Sequence, residues 1–232
     1  MKLCVIPARA GSKRIKNKNL RMFRGKPLIT HAIDTARDAE IFDQIIVSTD
    51  SPEIMKIAEA SGADVPFARP PELADDHATS VAVIRHAIET MSDQGGDIDL
   101  VGCIYPTSVF LKKEHLIEGM NKLRDPDIDC VFSAAGFSAP LERAFRRHAT
   151  SGLEMANPQA FNTRSQDLPR WYHDVGQFYF AKRQHWFEDT LFNDRADFVE
   201  FPEWAVQDID TEADWELMQI KMAVLERLSS EE

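Results

Sequence analysis

Residues 2–26 read KLCVIPARAGSKRIKNKNLRMFRGK: a short apolar run, a break at Pro7, two small residues and then a string of cations. KLCVIP predicts a buried strand. In an open α/β sheet, ligands bind beyond the carboxyl ends of the strands, which is where this basic loop begins. Pro7 to Lys26 holds eight Lys and Arg and no acidic residue, and the first carboxylate of the chain is Asp34. Nine of the 27 basic residues precede it, so the remainder sets 18 bases against 38 acids in a protein of formal charge −11. A surface needing only solubility mixes its signs. The loop is therefore read as a receptor for concentrated negative charge.

Working outward, apolar runs alternate with amphipathic ones. PLITHAIDTARDA, SPEIMKIAEASG, SVAVIRHAIETM and EHLIEGMNKLR have helical spacing, and Gly62 suits a helix C-cap. QIIVSTD, ADVPFARP, DLVGCIYP and DCVFSAA read as strands, and regular structure returns with DFVEFP. The alternation predicts an α/β, three-layer nucleotide-binding fold with a mostly parallel sheet covered on both faces. After about residue 137 the pattern becomes polar, aromatic and irregular. ERAFRRHATSGLEM predicts a hairpin, and about 138–172 is read as a smaller lobe inserted into a single domain spanning 1–232. TEADWELMQIKMAVLERL closes the chain as an amphipathic helix.

At 232 residues the chain can bury a full core. Its N-terminal apolar run is too short for a signal peptide, and no stretch approaches the roughly 20 apolar residues of a membrane span. Cys4, Cys103 and Cys130 lie in strand-like runs without metal spacing, as expected of buried thiols in the cytoplasm. The acidic balance argues against a nucleic-acid partner, which leaves a small polyanion.

Two groups of residues carry chemistry. In the loop, Gly11 lets backbone amides approach an anion, Arg9 can fork onto phosphate oxygens, and Lys13, Arg14 and Lys18 add charge. The Walker pattern is absent, because Arg14 stands where Ser or Thr is required; the plain alternative is a solvated basic loop. Near the C-terminus, VQDIDTEAD sets Asp208 and Asp210 two apart, on one side of an extended backbone. Such a pair suits Mg²⁺. The alternative is that Asp210 or Thr211 caps the last helix, whose first turn is acidic.

PARAGSKRIKNKNL resembles the N-terminal signature of the nonulosonic acid cytidylyltransferases (the CMP-sialic acid synthetase-like family), with Ala10 where Gly is usual and Lys16 where Pro is usual. RPPELADDHATS, CIYPTSVFL, NTRSQDLPRWYHDVGQFYF and the Asp208-Ile209-Asp210 run resemble further family segments in the same order, and the third of these is closest to the pseudaminate branch. The resemblance implies nucleotide contacts at Ala8, Arg9, Gly11, Ser12, Lys13 and Lys18, with Arg69, Ala78 and Ser80 around the cytidine. It implies metal ligation by Asp208 and Asp210, and catalysis by these two with Arg9, Lys13 and Lys18. The sugar side falls to Tyr105, Thr107, Asn162, Arg164, Gln166, Asp167, His173, Asp174, Gln177, Phe178 and Tyr179. Arg164 is the natural partner of the acceptor's carboxylate, although part of HDVGQFYF must be core in any strand.

The expected reaction joins CMP from CTP to the anomeric hydroxyl of a nonulosonic acid, foremost pseudaminic acid, and releases pyrophosphate for bacterial surface glycans or flagellin. A homodimer formed through the lobe is also implied. The rival readings are a CMP-N-acylneuraminate or CMP-legionaminate synthetase, a nucleotide-sugar glycosyltransferase with an Asp-x-Asp site, and a noncatalytic nucleotide-binding regulator.

Overall fold

The computed structural model describes residues 1–12 and 14–230, so the expectation for Lys13 lies outside the described residues. Strand β1 (Lys2–Pro7) enters the basic loop, which is followed by the short pair β2 (Met22–Phe23) and β3 (Lys26–Pro27) and by helix α1 (Leu28–Asp38). Then come β4 (Gln44–Ser48), α2 (Pro52–Ala60), α3 (Ser80–Asp93), β5 (Leu100–Ile104), α4 (Lys113–Lys122) and β6 (Cys130–Gly136). The hairpin β7 (Phe145–His148) and β8 (Gly152–Met155) lies in the irregular segment, and β9 (Tyr172–Lys182), β10 (Ala196–Phe201) and α5 (Glu212–Ser230) complete the chain.

The main sheet runs β10-β6-β9-β5-β1-β4. Its pairs are parallel except at β9, which is antiparallel to both β5 and β6. The period-2 pleat of β1 sends Cys4 and Ile6 to one face and Leu3 and Val5 to the other, all fully buried. The first face packs on α1, α2 and α4, and the second on α3 and Trp186. A fully buried Ile or Val contributes roughly 1.5–3 kcal/mol, and Ile6→Ala would cost about 2–5 kcal/mol.

Helix α2 ends as expected. Gly62 takes φ +88°, and the Ala63 amide turns back onto the Ala58 carbonyl at 3.0 Å. The ADVPFARP strand is corrected: this stretch makes only two isolated bridges, Ile46–Asp64 and Thr49–Ala68. Pro66 has no N–H to give to a ladder.

A third apolar cluster joins the basic loop to the carboxylate run. Ile15 of the basic loop and Ile209, between the two carboxylates, are both buried with Phe23, Leu28, Phe110, Trp215 and Met218. Arg21 lies 4.1 Å from the centroid of the Trp215 ring and pairs with Glu212 at 2.6 Å. Segments almost 200 positions apart are thereby fastened together at the tip of β1.

Candidate active site

A cleft of about 510 Å³ opens at the strand tips, lined by Arg9, Ser12, Arg14, Lys18 and Arg69, by Asp76, Ala78 and Ser80, and by Tyr105, Thr107 and Asp210. Beside it a second cleft, of about 450 Å³, is lined by His173, Asp174, Gly176, Gln177 and Tyr179 and by Gln207 and Asp208. Tyr105 and Thr107 line both. Cations and carboxylates thus share one opening. Arg14 pairs with Asp210 at 2.9 Å, and Lys18 lies 3.6 Å from Asp210 while donating to the Ile209 carbonyl at 2.5 Å. Arg9 pairs with Asp76 at 2.6 Å, and its carbonyl accepts a bond from the Asn19 amide.

The sequence suggested two carboxylates converging on one side, and the structure sets them at the adjoining rims of the two clefts. Ile209 is fully buried, so Asp208 and Asp210 flank it, one in each cleft. Burial, and then the neighbouring charge of Asp210, raise the Asp208 carboxyl above its ordinary range. Such crowded negative charge suits a divalent cation. Two hard carboxylates fit Mg²⁺, which takes its remaining oxygens from phosphates and water; no group of three or more ligating side chains exists among the described residues. Thr211 takes the capping role: its hydroxyl accepts from the Asp214 amide at 3.2 Å, while the Asp214 carboxylate accepts from the Thr211 amide at 2.7 Å.

The loop differs from a nest of open amides. The Ala10 amide donates to Asp50 and the Ser12 amide turns back to the Ala10 carbonyl, each at 2.9 Å. Ala10 does not take a positive φ, so alanine fits where glycine is usual. Gly11 is exposed and outside the cleft lining. Ala8 is also corrected: it is fully buried core, and its amide extends the β4 ladder to the Ser48 carbonyl. Arg69 does line the cleft, but it is buried and fastened to the Ser48 hydroxyl and carbonyl. Burial lowers its pKa to about 10, against the opposing pull of Asp50.

Ser80 is free of capping, because Thr79 is the N-cap of α3 and accepts from the Ala82 amide. The Ser80 hydroxyl instead meets the Tyr105 hydroxyl at 2.8 Å, and burial above all raises the Tyr105 phenol to about 12. Tyr179 donates to Asp174 at 2.5 Å, and burial keeps its phenol protonated. Asp75 orders the turn before Ala78 by accepting the His77 and Ala78 amides, bonds that hold its carboxyl below the ordinary range.

Several sugar-side expectations are corrected. Phe178 is fully buried on the opposite sheet face from Tyr179, because adjacent strand residues point apart. Asn162, Arg164, Gln166 and Asp167 line neither cleft of this chain. They lie in the segment that leaves the sheet at Gly136 and returns at Tyr172, and Arg164 is 77% exposed, 3.8 Å from Asp167. The reading from sequence missed Asp50, Asp76, Asn19 and Gln207. The doubled acid of LADDHATS was the one available signal; the others are ordinary residues brought in by the fold.

An α/β sheet whose first strand feeds a cationic loop, fastened opposite paired carboxylates, defines a nucleotidyltransferase. A cytidylyltransferase family model matches residues 3–218, and the chain belongs to that family. It is 40% identical over 219 residues to the pseudaminic acid cytidylyltransferase of Campylobacter jejuni, covering 94% of each chain. It is 32% identical to the N-acylneuraminate cytidylyltransferase of Escherichia coli, over 93% of this chain and 50% of the relative. Among solved structures, a CMP:2-keto-3-deoxy-manno-octonic acid synthetase complexed with CTP shares the fold, with TM-score 0.68 and 17% identity over 97% of this chain and 99% of the other.

Proposed function

We propose that this protein transfers CMP from CTP to the anomeric hydroxyl of pseudaminic acid in the cytoplasm and releases pyrophosphate, supplying an activated sugar for surface glycans or flagellin. One observation carries the reading: cations of the β1 loop meet Asp210 in ion pairs at one cleft, and Asp208 lines a second cleft beside it. The identity to the Campylobacter jejuni enzyme favours pseudaminic acid over the sialic and legionaminic alternatives.

In the first cleft, Arg9, Ser12 and Lys18 hold the triphosphate, and Ser80 and Ala78 meet the cytidine. Arg14 and Lys18 neutralise Asp210 in the free protein; an arriving triphosphate competes for both. Asp208 and Asp210 would hold Mg²⁺, which when bound supplies charge neutralisation at the α-phosphate. The second cleft takes the sugar acid against Tyr105, Thr107, His173, Asp174 and Tyr179. The anomeric oxygen bonds to the α-phosphorus as the bond to the bridging β-phosphate oxygen breaks, pyrophosphate leaves with that oxygen, and the hydroxyl proton passes to solvent. Positioning and electrostatics suffice, without a covalent protein nucleophile.

An anionic acceptor needs a cation, yet no Lys or Arg among the described residues lines the second cleft. Arg164 fits that task from a second subunit. The inserted segment exposes Phe145, Leu153, Phe161 and Trp171, apolar area suited to a homodimer interface. The test is an acceptor panel of pseudaminic, N-acetylneuraminic and legionaminic acids with CTP and Mg²⁺, read by pyrophosphate release. Highest kcat/KM with pseudaminic acid is expected. A preference for another acid refutes the sugar assignment, and absence of pyrophosphate with all three refutes the reaction.

A further inference from the structure

Gln177 is 2% exposed and lines the second cleft. Its backbone is fixed from several sides. The amide donates to Ser133 Oγ at 2.9 Å, while the carbonyl accepts from Ser108 Oγ at 2.7 Å and from the Tyr105 amide at 3.2 Å. A register shift between Phe132 and Ala134 sets this stretch of β9, and Gly176 bends it at φ +59°. The side-chain Nε2 donates to the Val175 carbonyl at 3.2 Å. That bond fixes the amide's sense, because the flipped amide would set two acceptors against each other. Oε1 is buried, and no donor among the described residues meets it. Two donors that line the same cleft are engaged elsewhere: the Tyr179 hydroxyl on Asp174 and Gln207 Nε2 on the Asp208 carbonyl.

We propose that Gln177 determines acceptor specificity, its Oε1 receiving one N–H or O–H of the sugar acid, so that the second cleft rejects an analogue lacking that donor. This rests on the reading of the second cleft as the sugar-acid site. A buried acceptor left unpaired penalises the analogue, as in sites built to bond a substrate hydroxyl. Acylamino and hydroxyl groups share the required chemistry, and the test separates them.

The test measures KM and kcat for pseudaminic acid and for analogues in which each acylamino N–H is methylated, or each hydroxyl replaced by hydrogen, one at a time. For the wild type, one analogue is expected to lose about 10–100-fold in kcat/KM through the unpaired oxygen. Gln177→Met should lower kcat/KM with intact pseudaminic acid by a similar factor, abolish the discrimination against that analogue, and leave the KM for CTP unchanged. Equal treatment of all analogues by the wild type overturns the inference and needs no variant. So does retained discrimination in a folded Gln177→Met protein. If the wild type turns over no nonulosonic acid, the functional reading falls and takes the inference with it; turnover without discrimination refutes the inference alone.

Discussion

Asp210→Asn separates the chemistry of the site from its architecture. The substitution keeps the side-chain volume and removes one charge from a contact of 2.9 Å to Arg14 and 3.6 Å to Lys18. Two unit charges 4 Å apart attract by about 4 kcal/mol at an effective dielectric of 20, and by about 1 kcal/mol in water. Arg14 is 67% and Asp210 34% exposed, which puts this contact near the watery limit. The Arg14 pair is then worth about 0.2–1 kcal/mol. At about 2–4 °C per kcal/mol for a chain of this size, Tm should fall by a few degrees at most. Turnover should fall far more, by about 10²–10³, the scale on which a preorganised charge acts in a transition state. CTP binding carries a sign of its own. With EDTA present, the variant should bind CTP more tightly than the wild type by calorimetry, because Arg14 and Lys18 no longer have a competing carboxylate. Turnover within fivefold of the wild type, or weaker metal-free CTP binding, would refute the reasoning.

Arg69→Ala removes two buried bonds to Ser48, one to its hydroxyl and one to its carbonyl, which keeps only the Ala8 amide, so the protein should lose about 1–3 kcal/mol in denaturant unfolding; an unchanged midpoint would make Arg69 a ligand contact alone. The Asp75 carboxyl sits below its ordinary range, so the turn it holds should stay intact above the unfolded-state pKa and loosen only as pH falls through the lower folded value. The Ala78 amide shift, followed by NMR, should titrate with a midpoint below the ordinary Asp value, and a midpoint at or above it would contradict the assignment. Phe145→Glu with Phe161→Glu, both on the exposed lobe, should yield monomers in sedimentation and lower turnover if Arg164 acts across subunits; dimers of normal activity would refute that arrangement.

Much of this architecture could be read from the chain itself. The first strand and its loop and the helical runs rest on periodicity and charge, which are local properties, whereas the role of the Asp208–Asp210 pair rests on the resemblance to the family. Strand direction is not local. The apolar run through Gln177–Phe180 has the same pattern whichever way it runs, and only pairing sets β9 antiparallel between β5 and β6. The pleat was available and would have separated Phe178 from Tyr179. Ala8 and Gly11 follow a motif's spacing, but packing decides that one is core and the other faces solvent. Asp76 reaches Arg9 across 67 positions, a contact that no short-range pattern encodes.

The most direct test is a crystal structure with CTP and Mn²⁺, in which the anomalous signal locates the metal independently of the nucleotide. The account predicts a peak between Asp208 and Asp210, with the triphosphate running along the loop from Arg9 to Lys18. A nucleotide bound away from that loop, or a metal touching neither carboxylate, would contradict it.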